Sequence, residues 1–178
     1  MKEVKIFARA GQGAITTAAI LGEALFYEEK YAYAFPHFGA ARMGAPMNAF
    51  VRFDDKPIRT RSQIYEPDYT IVIDPSLIES EKAFINLRQG AKAVVAARED
   101  TVIPEAKGVE VFTLPAEKIA MEIIGRPFTN TILIGAFAKV TGEITLESVL
   151  KVVEDRFKAK PALLDKNLAA VKKGYESV

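Results

Sequence analysis

The chain has 178 residues, of which 49% are hydrophobic and 26% charged, and its formal net charge is +1. This length fits one domain with a proper core, and so small a charge argues against a nucleic-acid binder. The absence of cysteine excludes disulfides, iron–sulfur clusters and Cys-ligated zinc in this chain, and a single histidine excludes a multi-His metal site. No apolar run approaches the ~20 residues of a membrane span, and we expect a cytoplasmic protein with neither membrane nor nucleic acid as a partner.

The N-terminal pattern predicts a strand, a glycine turn and a helix. The segment "VKIFA" (Val4–Ala8) is typical of a short buried strand, and "GQG" (Gly11–Gly13) follows it. Apolar residues from Ile15 to Phe26 then recur at helical spacing. This order is the beginning of a βαβ-type unit.

The next stretch contains helix-breaking residues and then an alternating pattern. Pro36, Gly39 and Gly44 forbid a regular helix, so we expect an ordered loop from Phe35 to Gly44. Apolar residues alternate in Met47–Phe53 and again in Ile58–Ile64, on either side of the turn sequence "DDKP". We therefore predict a β-hairpin formed by these two segments.

The remaining patterns alternate between strands and helices and end in helices. Strands are predicted at Tyr69–Asp74, Ala91–Ala97 and Val109–Leu114, and helices at Leu77–Leu87, Ala116–Ile124, Asn130–Val140, Thr145–Phe157 and from Pro161 onward. The sequence thus predicts a single α/β domain over residues 1–178. It has a mainly parallel sheet flanked by helices, an inserted β-hairpin and a helical C-terminal third.

The glycine turn is the first candidate binding site. Gly11 and Gly13 expose backbone N–H groups at the positive end of a helix, and Thr16 and Thr17 add hydroxyls suited to a phosphate or carboxylate. The third glycine of a dinucleotide fingerprint and the P-loop pattern are both missing. A tight strand-to-helix turn with close packing is the alternative interpretation.

The aromatic loop is the second candidate. Phe35, His37 and Phe38 stand near Arg42, an arrangement suited to stacking on a flat ligand or a partner while Arg42 holds an anion. In the alternative interpretation the two phenylalanines pack in the core and Arg42 lies in solvent. His37 then has a surface or core-edge position.

Two further features remain open. Arg59 and Arg61 fall on one face of the predicted hairpin and suit an anion, although such arginines are usually solvated or ion-paired. Asp74 ends a central strand, where sites of α/β proteins collect, or it caps the following helix through "DPS". We find no nucleophile–base pair, carboxylate dyad or metal constellation, and we assign no catalytic residue.

Several segments together resemble a known family from the first strand to the end of the chain. They are "GQG", "AFPHFGAARMGAPMNAFVRFDDKPIRTRSQIYEPDYTIVIDPSLI", "GRPFTNTILIGAFAKVTG" and "DKNLAAVKKGYESV". The chain resembles the gamma subunits of pyruvate and 2-ketoisovalerate:ferredoxin oxidoreductases. The resemblance implies oxidative decarboxylation of a 2-oxoacid with CoA to acyl-CoA, CO2 and reduced ferredoxin. Pyruvate is the first expected substrate and 2-ketoisovalerate the second.

The resemblance also implies a division of labour among subunits. Thiamine diphosphate with Mg is expected between the alpha and beta subunits, [4Fe–4S] clusters in the delta and beta subunits, and ferredoxin as the acceptor of the complex. This chain is then non-catalytic alone and contributes to assembly and to CoA-side contacts. The loop Pro36–Pro46 docks on the alpha subunit or lines the CoA path. The residues implied in CoA contact are Gly11, Gln12, Gly13, Thr16, Thr17, Phe38, Gly39 and Arg42.

Two other functions stay open. One is a purely structural interaction subunit without ligand contacts. The other is a stand-alone nucleotide-binding α/β enzyme that uses Gly11–Thr17, which the missing third glycine and the missing acid–base pair disfavour.

Overall fold

The computed structural model describes residues 1–37, 42–98 and 100–178. None of the helices in these ranges is both long and apolar enough to cross a bilayer. Six strands and six helices follow one another in the order β1 (Lys2–Arg9), α1 (Ala14–Tyr27), β2 (Tyr31–His37), β3 (Pro46–Asp54), β4 (Tyr69–Val72), α2 (Leu77–Ser80), β5 (Ala91–Ala96), β6 (Val109–Leu114), α3 (Ala116–Ile123), α4 (Asn130–Thr141), α5 (Leu146–Phe157) and α6 (Pro161–Glu176).

All six strands form one mixed sheet in the order β2-β3-β1-β4-β5-β6. Strands β1, β4, β5 and β6 pair in parallel, whereas β3 runs antiparallel to both β1 and β2. Buried apolar residues without alternation, as in β4 and β5, are typical of central parallel strands covered on both faces. The predicted α/β class is confirmed, including the helical C-terminal third.

The inserted hairpin exists, but its predicted partner strand was wrong. Strand β3 pairs with β2, with Phe35 opposite Phe50, and residues 58–64 form no strand. The physical reason is Arg52, whose guanidinium donates to the carbonyl oxygens of Ser62 at 2.6 Å and Gln63 at 3.1 Å. These two carbonyl oxygens therefore have a side chain as their hydrogen-bond donor, instead of the backbone N–H groups of a neighbouring strand.

The same arginine carries a buried ion pair. Only 1% of Arg52 is exposed, and its Nε donates to Oε1 of the buried Glu3 at 2.7 Å. The other carboxylate oxygen of Glu3 accepts from Arg88 at 3.0 Å. A buried cation is tolerated only with such partners, so this network fixes β1, β3 and the segment after β3 in one arrangement.

The predicted loop Phe35–Gly44 is wrong at its beginning. Phe35–His37 are the last residues of β2, and Phe38–Ala41 lie outside the described residues. Pro36 fits in a strand here because β2 is an edge strand, whose outward backbone positions need no partner.

The predicted helix Leu77–Leu87 is also wrong in length, since α2 ends at Ser80. Lys82 and Asn86 adopt positive φ angles of 51° and 59°. Residues in the left-handed conformation interrupt a right-handed helix. The helical spacing of apolar residues in the sequence up to Leu87 therefore extends beyond the end of α2.

Helix α4 lies at the centre of the helical face of the sheet. Residues 131–138 are all buried. It packs on α6 so closely that a Cβ on Gly135 would overlap the carbonyl oxygen of Val171, and one on Gly174 would overlap the carbonyl oxygen of Ile132. The opposite face of the sheet is covered by a smaller cluster that contains Leu77 and Ile78 of α2.

The α4–α6 contact predicts that Gly135→Ala and Gly174→Ala destabilise the fold. Each added methyl meets backbone, and overpacking costs about 1–3 kcal/mol. Urea unfolding measures the change. Gly22→Ala is the matched control, because its Cβ would meet only the Ala34 methyl at 3.5 Å and we expect a gain of about 0.5–1 kcal/mol. Equal stability of all three variants would contradict the packing argument.

The buried ion pair predicts that Arg52→Ala costs about 3–5 kcal/mol, because the buried Glu3 loses its buried partner and keeps only the partly exposed Arg88. Limited proteolysis should also cut residues 58–64 faster, since their carbonyl oxygens lose the guanidinium. As the control, Arg156→Ala removes an ion pair to the half-exposed Glu23 and should change the unfolding free energy by less than about 1 kcal/mol.

Candidate functional site

The glycine turn between β1 and α1 is held by a residue from α4. Gly11 and Gly13 have φ angles of 100° and 84°, in the region that glycine adopts without strain. Asn130 Nδ2 lies 3.0 Å from the carbonyl oxygens of Gln12 and Gly13 and 2.9 Å from Thr17 Oγ1, so these three acceptors share its two N–H groups. A Cβ on Gly13 would come within 2.7 Å of this amide nitrogen. Asn130 therefore holds the turn through two backbone carbonyl groups and through Thr17 in the first turn of α1.

Gln12 connects the turn to the end of β4. Its Oε1 accepts from the Arg9 N–H at 2.7 Å, and its Nε2 donates to Asp74 Oδ2 at 2.7 Å. The other carboxylate oxygen of Asp74 accepts from the N–H of Ser76 at 3.0 Å and from its hydroxyl at 2.6 Å. The carboxyl ends of two adjacent parallel strands are thus tied together, at the position where α/β proteins bind ligands.

Asp74 is held as a carboxylate. Its burial alone would raise the pKa, but the hydrogen bonds from Ser76 and Gln12 and the charge of Arg9 outweigh the burial and lower the pKa. Arg9 Nε lies 3.4 Å from Asp74 Oδ2. Two of the predicted features, Gln12 and Asp74, therefore belong to one cluster.

The segment that carries Arg42 lies against the same turn. Ala10 donates to the Ala45 carbonyl at 2.8 Å, and Gly44 donates to the Ala10 carbonyl at 3.2 Å. Arg9 Nη1 donates to the Gly44 carbonyl at 3.1 Å. The structure thus brings together two predicted site regions that stand about thirty residues apart in the sequence, the glycine turn and exposed Arg42. Phe38 and Gly39 lie outside the described residues.

The predicted contact residues differ in what their side chains already bind. Thr17 is fully buried, and its hydroxyl donates to the Gly13 carbonyl at 3.1 Å while it accepts from Asn130. Gln12 uses both side-chain ends within the cluster. Gly11, Thr16 and Arg42 are exposed. Gln12 and Thr17 shape the turn, whereas Gly11, Thr16 and Arg42 are the exposed members of the predicted set.

The remaining candidates lie away from the turn. His37 Nδ1 lies 2.9 Å from the amide nitrogen of Gln63, at the edge of the core. The Arg61 guanidinium stacks 4.1 Å above the Tyr33 ring, while Arg59 is exposed. Because residues 58–64 form no strand, these two arginines do not share a strand face as predicted.

A cleft begins at the turn. A cavity of about 240 Å³ lies between Gly11, Pro75, Arg98 and Phe128. Arg98 Nε donates to Glu117 Oε2 at 2.8 Å, so one wall of the cleft is an ion pair. Within residues 1–37, 42–98 and 100–178, no group of three His, Asp or Glu side chains is placed to hold a metal ion.

Sequence reasoning missed two residues of this cluster, Arg9 and Asn130. They come from separate elements, and only their spatial contacts reveal their role. Ser76 belongs to the capping sequence "DPS", and its N–H donates to Asp74 as the capping interpretation expects. Arg9 had one signal, its position at the end of the strand directly before the glycines. Asn130 had only its place at the beginning of a predicted helix.

The lowered pKa of Asp74 predicts an acid-dependent stability. The carboxylate stabilises the folded state fully above its unfolded pKa of about 3.9, and this contribution is lost as pH falls through the lower folded pKa. Urea unfolding at several pH values should therefore show a gap between wild type and Asp74→Asn that narrows toward acid. Asp165→Asn, at an exposed position of α6, controls for a general loss of negative charge. A gap independent of pH would exclude this role of Asp74.

Known proteins similar to this chain match it over its whole length. The family model for pyruvate ferredoxin/flavodoxin oxidoreductase matches residues 3–177. The pyruvate synthase subunit PorC of Methanocaldococcus jannaschii is 44% identical over 179 residues, which cover 100% of this chain and 97% of the relative. The common subunit gamma of the pyruvate/ketoisovalerate oxidoreductases of Thermococcus litoralis is 43% identical over 180 residues, with 99% and 96% covered.

A solved structure agrees with the sequence matches. The crystal structure of pyruvate oxidoreductase subunit PORC from Thermotoga maritima superposes with a TM-score of 0.85 at 32% identity, covering 99% of this chain and 96% of that one. The match therefore includes the mixed sheet, the hairpin and the C-terminal helices. The chain belongs to the pyruvate ferredoxin/flavodoxin oxidoreductase family, and it matches the family's separate gamma-type subunit from end to end.

Proposed function

We propose that this chain is the gamma subunit of a multi-subunit 2-oxoacid:ferredoxin oxidoreductase that converts pyruvate, CoA and oxidised ferredoxin to acetyl-CoA, CO2 and reduced ferredoxin. The observation that carries the proposal is the end-to-end match to separately encoded gamma-type subunits of nearly the same length. Such subunits work with partner chains, so we assign this chain a role in the complex and no turnover by itself.

The inventory of side chains supports this division of labour. The sequence has no cysteine to ligate an iron–sulfur cluster. Thiamine diphosphate with Mg and the [4Fe–4S] clusters then belong to alpha, beta and delta subunits, with ferredoxin as the acceptor, and the complex works in the cytoplasm. 2-Ketoisovalerate is the second substrate we propose, since one of the relatives is named for both oxoacids.

The exposed part of the glycine turn is the proposed contact with CoA. Gly11 and Thr16 lie at the beginning of α1, where the backbone N–H groups of the first turn and the positive helix end favour a phosphate. Arg42 lies on the segment bonded to this turn, and its planar guanidinium suits a phosphate oxygen pair. Phe38 and Gly39 belong to the same proposed contact by their place in the sequence. Gln12, Gly13 and Thr17 hold the conformation of the turn on which this contact depends.

A purely structural role is the alternative. It is favoured by the internal bonds of Gln12 and Thr17, which leave fewer polar groups for a ligand than the sequence suggests. In that case the exposed surface around Met43 faces a partner subunit and no CoA; Met43 is 87% exposed, and its Sδ lies 3.0 Å from where a Cβ on Gly11 would stand.

Co-purification tests the proposed subunit role. A tagged copy of this chain, expressed with its neighbouring genes in a cell that makes iron–sulfur clusters, should isolate a complex with thiamine diphosphate and clusters. That complex should reduce ferredoxin with pyruvate and CoA, whereas the isolated chain should not. Isolation of the chain alone, with turnover of a nucleotide or a 2-oxoacid by itself, would overturn the proposal.

Substitutions in the purified complex test the CoA contact. We expect Arg42→Ala to raise the KM for CoA by about 10- to 150-fold, since a hydrogen bond to a charged group contributes about 1.5–3 kcal/mol. Gly11→Ala should act in the same direction, because it strains the turn and pushes on Met43. Arg59→Ala, another exposed arginine, is the matched control and should leave the KM unchanged.

The pattern of results separates the alternatives. A raised KM with unchanged subunit stoichiometry supports CoA contact. An unchanged KM together with a loss of subunits on gel filtration supports the structural role and excludes the contact at Arg42.

A further inference from the structure

Strand β2 forms one end of the sheet, and the direction of its backbone groups follows from the strands beside it. Phe7 of β1 bonds toward β4, because its carbonyl oxygen accepts from the residue directly after β4 at 2.8 Å. Backbone groups alternate in direction along a strand, so the neighbouring Ile6 bonds to Ala49 of β3. Phe50, the next residue of β3, then bonds to Phe35 of β2. The residues that alternate with Phe35 therefore point their backbone groups away from the sheet.

The outward backbone groups of β2 belong to Ala32, Ala34 and Pro36. Each alanine presents one N–H and one carbonyl oxygen, and Pro36 presents a carbonyl oxygen alone. In the described part of the chain, none of the backbone hydrogen bonds outside the helices and strands reaches these groups. Soluble proteins usually block such an edge with charged side chains, prolines or a covering segment. Here Pro36 blocks one end, and the stretch Tyr31–Phe35 has no charged side chain.

On the side of the sheet that α1 covers, the two alanines border an open groove of about 460 Å³. Small residues leave this space, since a Cβ on Gly22 of α1 would stand 3.5 Å from the Ala34 methyl. Phe26, 73% exposed, lines the groove as well. The two carboxylates of the groove, Glu23 and Asp155, already accept hydrogen bonds from an arginine and a tyrosine of this chain. The groove therefore has room for apolar side chains of a strand added beside β2.

The opposite face of β2 is aromatic and positively charged. Tyr33 and Phe35 stack with their ring centroids 4.9 Å apart, and the Arg61 guanidinium lies 4.1 Å above the Tyr33 ring. Arg61 is exposed, and it donates to the carbonyl oxygens of residues 58 and 60. The stretch 56–65 holds three cations and no acidic residue. None of the ion pairs among the described residues includes a cation of this stretch. This face therefore favours an acidic side chain.

The positive charge decides between two candidate occupants of the edge. In an antiparallel pair of two β2 strands, the outward groups of Ala32 and Ala34 would place Tyr33 of both copies near the two-fold axis. Both Arg61 side chains would then lie close together, and like charges on neighbouring strands are destabilising. A segment of a different chain with an acidic residue opposite Tyr33 forms an ion pair instead.

We propose that the free edge of β2 binds an extended segment of another polypeptide as an added strand antiparallel to β2. The residues of that segment opposite Ala32 and Ala34 exchange backbone hydrogen bonds with them and place apolar side chains in the groove. The residue between them, opposite Tyr33, is Asp or Glu and faces Arg61. In such strand addition the backbone bonds provide affinity and the alternating side chains provide specificity. The inference goes beyond the proposed contact with CoA and does not depend on it.

NMR titration of the isotope-labelled full-length chain tests this site, with a capped heptapeptide of alternating valine and glutamate as the probe. We expect a Kd below about 1 mM and amide shifts centred on Ala32 and Ala34. N-methylation of the peptide's valines should abolish binding, because the N–H groups of these residues bond to β2. N-methylation of its glutamates is the matched control and should leave binding unchanged, because their N–H groups face away from β2.

A second peptide, with lysine in place of glutamate, tests the charge. It should bind the wild-type chain about fivefold more weakly, as a cross-strand charge pair contributes up to about 1 kcal/mol. Arg61→Glu should reverse this preference, so that the lysine peptide binds more tightly than the glutamate peptide. Lys172→Glu, an equal change of charge at an exposed position of α6, should keep the wild-type preference.

Four results would overturn the inference. They are the absence of amide shifts up to about 1 mM glutamate peptide, equal binding of the N-methylvaline peptide, an unreversed preference in Arg61→Glu, and self-association through this edge. Sedimentation of the chain alone tests the last of these, since a dimer that Ala34→Pro abolishes would assign the edge to a second copy. Pro36 already occupies an outward position of β2, so we expect Ala34→Pro to fold. None of these results depends on co-purification of the complex, which tests the proposed function separately.

Discussion

The close crossing of α4 and α6 is the contact on which the rest of the structure depends. Gly135 and Gly174 let the two backbones meet without side chains between them, and α4 is thereby buried along most of its length. Asn130, at its first turn, then reaches the glycine turn after β1. The geometry of the candidate site is thus determined by helix packing that lies one to several turns away from it. Because the interior is close-packed, a displacement of α4 relative to α6 would also move Asn130 and the glycine turn.

Two polar networks complete this arrangement. At the carboxyl ends of β1 and β4, Gln12 and Asp74 join adjacent strands. Elsewhere in the sheet, Arg52 and Glu3 join β1, β3 and the segment after β3. Buried polar groups are almost always partnered, and these partners come from distant parts of the chain. The result is a sheet whose neighbouring strands are joined by side chains as well as by backbone hydrogen bonds.

The arginines show how little their sequence context determines. Arg42 and Arg52 stand ten residues apart, yet the first is exposed and the second is 1% exposed in an ion pair. Arg61 stacks on Tyr33 and Arg98 pairs with Glu117. Only the fold separates cations that stabilise the protein from cations that are available for an anion. That separation is the basis of the proposed contact between the exposed Arg42 and CoA.

The sequence by itself determined the α/β class, the central strands, the C-terminal helices and the position of the glycine turn, because hydrophobic periodicity and glycine placement are local properties. It also determined the family resemblance. Tertiary structure alone decided that β2 pairs with β3, that α2 ends at Ser80, and that Asn130 and Asp74 meet at one turn. Strand pairing and side-chain partners depend on contacts between residues far apart in the chain. The periodicity of a single segment carries no information about which distant strand or side chain forms hydrogen bonds with that segment.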